Sequence, residues 1–81
     1  MDVKPNMNRF HLVRDIDETG ISGTGTVAEG VEFTNGMVAM TWFSPHECVN
    51  VYANIKTVEA LHGHAGKTRI VWLQDFVPAC A

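Results

Sequence analysis

Cysteine is scarce in this 81-residue chain: only Cys48 and Cys80 are present, and they form neither a Cys-x-x-Cys pair nor a dense disulfide framework. That argues against a disulfide-stapled secreted scaffold, and a reducing, cytoplasmic setting is expected. No apolar run approaches the ~20 residues that cross a bilayer, and the polar opening from Met1 to Arg9 is not followed by an apolar stretch. Neither membrane insertion nor secretion is expected. Positive charge is thin as well. Six Lys and Arg against nine Asp and Glu leave a net charge of −3, which removes any general attraction to nucleic acid or anionic membranes. There is no Walker lysine and no dinucleotide-type βαβ pattern, so the glycines of Gly20-Ile21-Ser22-Gly23-Thr24-Gly25 read as loop formers and not as a phosphate cradle.

What is present is a balanced globular composition, 46% apolar and 19% charged. The length suffices for one domain with one core and is too short for two. Residues 1–8 read as a flexible arm, 9–75 as the domain and 76–81 as a tail carrying Pro78.

Alternation predicts a first strand over 9–14, with Phe10 and Leu12 on one face and His11 and Val13 on the other. A long loop, acidic at first and then glycine-rich, runs from Asp15 to Gly25. The second strand, 26–33, would turn Val27, Val31 and Phe33 inward, with a bulge at Gly30 to release Glu29 to solvent. Asn35-Gly36 marks a hairpin. The third strand, 37–43, is apolar on both faces, so it should be central or meet a partner on one side. A fourth strand over 48–53 is expected with Val49, Val51 and Ala53 inward and Tyr52 outward. Asn54 should cap a helix over 55–62, stopped by Gly63, and a fifth strand follows over 67–74. Trp42 and Trp72 are expected to pack together. Five short strands with one helix between the fourth and fifth predict a mostly β fold, a small SH3-like, partly open barrel.

Three groups of residues could carry function. The loop residues Asp15, Asp17, Glu18, Ser22 and Thr24, with Phe43 and Tyr52 as exposed aromatics, make the leading candidate for partner binding. Asp15 to Gly20 also imitates the opening of a calcium loop, but Thr26 stands where a bidentate Glu is needed. Arg9, Arg14, Lys67 and Arg69 could form a small basic face for nucleic acid if the first and last strands pair. His46, Cys48, His62 and His64 have the ligand chemistry for zinc, in a spacing that fits no standard zinc motif. No catalytic residues and no cofactor are expected, because a deep water-excluding cleft is hard to build from one small core.

The runs Ser22-Gly-Thr-Gly-x-Val-Ala-Glu-Gly-Val-Glu-Phe33 and Val58-Glu-Ala-Leu-His-Gly-His-Ala-Gly-x-Thr-Arg-Ile-Val-Trp72 carry a resemblance, together with Asn35-Gly36 and Trp42 between them. Over roughly residues 9 to 75 the chain resembles a family of short uncharacterised proteins encoded in bacterial, notably actinobacterial, and bacteriophage genomes. The resemblance implies a phage or mobile-element accessory protein. The resulting expectation is a non-enzymatic module that binds a host protein through the 15–25 loop and the adjoining hairpin, with inhibition of a defence system as one form, and that uses an exposed edge strand for dimerisation or partner pairing. Nucleic-acid binding and a small zinc domain are the alternatives.

Overall fold

The computed structural model describes residues 3–16, 24–63 and 66–73. Five strands are found: β1 (Asn8–Arg14), β2 (Gly25–Glu32), β3 (Val38–Trp42), β4 (Asn50–Tyr52) and β5 (Thr68–Trp72). One helix, α1 (Ile55–His62), stands between β4 and β5. All pairings are antiparallel, in the order β4-β3-β2-β1-β5. The mostly β class, the five strands and the place of the helix all stand as expected. The sheet does not close, so β4 and β5 are its two edges.

α1 forms where expected for the expected reason. Asn54, in an extended conformation, accepts a hydrogen bond at Oδ1 from the Thr57 backbone N–H at 3.0 Å, satisfying one of the orphan donors of the first turn. The helix covers one face of the sheet by burying Val58 among Phe10, Leu12, Ala28, Val38 and Met40, with Ile55 packed against them. We call this the core face.

The register of β2 differs from the alternation read from sequence. Leu12 pairs with Ala28 but Val13 pairs with Thr26, so the extra residue of the bulge is Val27 and not Gly30. From Ala28 onward the strand is regular. Ala28 and Gly30 lie on the core face, while Glu29, Val31 and Phe33 lie on the other, and Glu29 is exposed without any bulge beside it. Val31 and Phe33 are therefore not inward, although Val27 does pack against the core.

β4 is inverted relative to expectation for a similar reason. Tyr52 pairs with buried Val38, and Asn50 with buried Met40, so Tyr52 joins the core face and Val51 and Val49 point away from it at 64% and 65% exposure. The two tryptophans do not meet. β3 and β5 are separated by β2 and β1, three strand spacings or about 14 Å. Trp72 instead sets its ring edge-on to Phe10 (centroids 5.5 Å), and Trp42 sets its ring edge-on to His62 (4.9 Å).

The hairpin is a three-residue loop, with Gly36 at φ 91° in the left-handed region that a side chain disfavours. Phe33 N–H donates to the Met37 carbonyl (2.7 Å), Gly36 N–H donates to the Phe33 carbonyl (2.8 Å), and Met37 N–H donates to Asn35 Oδ1 (3.0 Å).

Candidate interaction surface

The antiparallel meander carries the β1–β2, β3–β4 and α1–β5 connections to one end of the sheet. Asp15 leaves β1 there, and its backbone N–H donates to the Lys67 carbonyl at 2.8 Å. Its carboxylate accepts from Arg69 through Nε at 2.8 Å and through a second guanidinium nitrogen at 3.3 Å, a two-point ion pair that ties β1 to β5. Ile16 follows at 56% exposure. Thr24 enters β2 at the same end, and Phe43 leaves β3 there at 55% exposure, its N–H donating to the Val27 carbonyl at 2.9 Å.

Of the residues singled out for partner binding, Asp15, Thr24 and Phe43 thus share this loop end. Asp17, Glu18 and Ser22 lie outside the described residues, as does most of the imitation calcium loop. Tyr52 sits elsewhere: half-buried on the core face, its hydroxyl is 3.0 Å from His62 Nε2 and its ring stands edge-on to that imidazole.

Pairing of β1 with β5 brings Arg9, Arg14 and Arg69 onto neighbouring strands, with Lys67 just before β5. They do not form one cluster. Arg14 pairs with buried Thr68 on the core face, whereas Arg69 pairs with Val13 on the other. Arg9 stands beside Leu73, four residues or roughly 13 Å along the strand from Arg69. The charge of Arg69 is already matched by Asp15.

His46 and Cys48 lie in the exposed β3–β4 connection, and His62 is engaged by Tyr52 and Trp42 at the end of α1. His64 lies outside the described residues. Among the described residues no three His, Cys, Asp or Glu side chains gather as metal ligands would.

A family model covers nearly all of this architecture: the Acb5 phage protein family matches residues 7–74, from the residue before β1 to just past β5. The chain belongs to the Acb5 phage protein family. No curated protein and no solved structure matches the chain. Family membership makes the phage context a finding, in agreement with the resemblance carried by the Ser22–Phe33 and Val58–Trp72 runs. No helix among the described residues is long and apolar enough to cross a membrane.

Sequence reasoning missed a second surface, the sheet face opposite α1. Val31, Ala39, Val49, Val51, Phe33 and Met37 all project there. The signal was present in the two-sided apolar pattern of β3, but the bulge at Val27 and the register of β4 decided which neighbours joined Ala39 on that side.

Proposed function

We propose that this member of the Acb5 phage protein family is a non-enzymatic accessory protein that occupies a surface of a host protein through its loop end. Inhibition of a host defence system is one form such binding takes. The observation that supports this reading best is the placement of two well-exposed apolar side chains, Ile16 and Phe43, at the same end of the sheet as the Asp15–Arg69 pair. Apolar anchors beside charged groups are what a protein–protein contact uses, and this one needs no cleft.

The test is capture of host proteins by the tagged full chain from nuclease-treated lysate, run beside Phe43→Glu and Ile16→Glu. Both positions are exposed, so the variants should fold as the parent does. One host protein held in stoichiometric amount by the parent and released by both variants is the expected result. Equal retention by the variants overturns the site, and retention that vanishes on nuclease treatment moves the reading to nucleic acid.

A further inference from the structure

The open sheet face carries too much apolar surface for a solvated face. Among the described residues six apolar side chains are fully buried in the core, whereas Val49, Val51, Met37 and Phe33 stand on the open face at 65%, 64%, 42% and 40% exposure. The N-terminal arm extends the patch with Val3 and Met7, at 67% and 52%, which line a shallow trough with Phe33, Met37 and Val51. Among the described residues no ionisable side chain lines this trough. Arg9, His11 and Glu29 border it instead, around a second trough that reaches Val31, Ala39 and Val49. An apolar centre with a charged border is the anatomy of an interface.

We infer that this face joins two copies of the chain in a symmetric dimer. The first reason is fit. A two-fold axis crossing the strands between the Phe33–Met37 row and the Val31–Ala39 row lays each β2 and β3 on its counterpart. Phe33 then rests on the partner's Val31 and Met37 on the partner's Ala39, large against small. Val51 meets the partner's Ala53, and Glu29 falls by the polar Thr34–Asn35 turn of the opposite hairpin. Arg9, paired with Val31 on β1, falls over the partner's Met7 at the edge of the contact, so each Arg9 charge meets an apolar side chain and not its own copy.

Area supplies the second reason. Four strands at about 4.8 Å and the two to four side-chain rows that the axis superposes give a flat footprint of roughly 250–500 Å² per copy. With the relief of the side chains and the arm included, the pair buries on the order of 1,000 Å², the lower limit for a specific interface. The dimer is therefore a concentration-dependent one, formed by copies that are already folded.

Sedimentation velocity of the full chain from low-micromolar to near-millimolar concentration tests this directly. The expected mass rises from the 8.9 kDa protomer toward twice that value, and Val51→Glu stays at 8.9 kDa with an unchanged circular dichroism spectrum. Hydroxyl-radical footprinting of the parent is the companion measurement, needed should Val51→Glu fail to fold. Oxidation of Met7 and Met37 should fall as concentration rises, while buried Met40 stays unreactive throughout. A parent that remains at 8.9 kDa, a dimer that survives Val51→Glu, or Met7 and Met37 equally reactive at both ends of the range overturns the inference. Ile16 and Phe43 lie at the loop end, so loss of host capture and loss of the dimer are separately readable.

Discussion

The ring of Phe10 lies directly against the backbone of Gly30. The two residues are paired across β1 and β2, and a Cβ built on Gly30 would stand 2.5 Å from Phe10 Cζ and 2.8 Å from the Ala39 carbonyl oxygen. Phe10 is fully buried because that space is left for it. The glycine is thus a packing device under an aromatic ring and not a bulge residue.

Gly30→Ala should overpack this site and cost about 2 kcal/mol, since neither the ring nor the β3 backbone can retreat without disturbing the core. Urea denaturation would measure it. Combining the change with Phe10→Leu should recover part of the loss in a double-mutant cycle, and simple additivity would show that the two residues do not share the space.

Asn54→Ala should cost about 1 kcal/mol, because Asn54 Oδ1 accepts from both the Thr57 N–H (3.0 Å) and the Thr57 hydroxyl (3.2 Å). Thermal unfolding followed at 222 nm checks it. Asn54→Asp should be close to neutral, as it keeps the acceptor and adds a favourable charge at the helix N-terminus.

Tyr52→Phe removes the hydroxyl paired with His62 Nε2 while leaving the ring on the core face. A loss of about 1 kcal/mol in chemical denaturation is expected. Host-protein capture should be unchanged, which separates the role of Tyr52 in the fold from the docking role proposed for Phe43.

Thr68 is 5% exposed, and its hydroxyl meets no hydrogen-bond partner among the described residues. Thr68→Val keeps the shape and removes the unpaired polar atom, so stability should rise by about 1 kcal/mol. Differential scanning calorimetry would read this as a higher Tm, and a lower one would mean that the hydroxyl is satisfied.

The Asp15–Arg69 pair makes one short and one longer contact, 2.8 and 3.3 Å, and is solvated, at 42% and 56% side-chain exposure. Asp15→Asn should therefore cost less than about 1 kcal/mol, with the difference from the parent shrinking as salt is raised. Denaturation midpoints at low and high salt would show both effects.

Local chemistry was readable wherever one short segment decides the outcome. Asn54 before a run with Ile55, Val58 and Leu61 at helical spacing can be little else than a capped helix, and Asn35-Gly36 between alternating segments marks a hairpin. The order of elements and the mostly β class followed from the same signals. The candidate site is legible only in part: the sequence marks Asp15 as a loop residue and Phe43 as an exposed aromatic, but the ion pair between Asp15 and Arg69 spans 54 positions and needs β5 beside β1.

What the sequence by itself determined is the identity of the elements, because capping, turn chemistry and alternation act over a few residues. What only the tertiary structure decided is which side of each strand faces the helix. Side chains alternate with a period of two, so one bulge residue at Val27 and one register choice between Val38 and Tyr52 send whole strands of side chains to the opposite face. Those choices are made by which arrangement fills the space around Phe10, Met40 and Val58, a property of all five strands and the helix together. They placed Tyr52 against the core and left Val31, Val51 and Phe33 on the face we assign to a second copy.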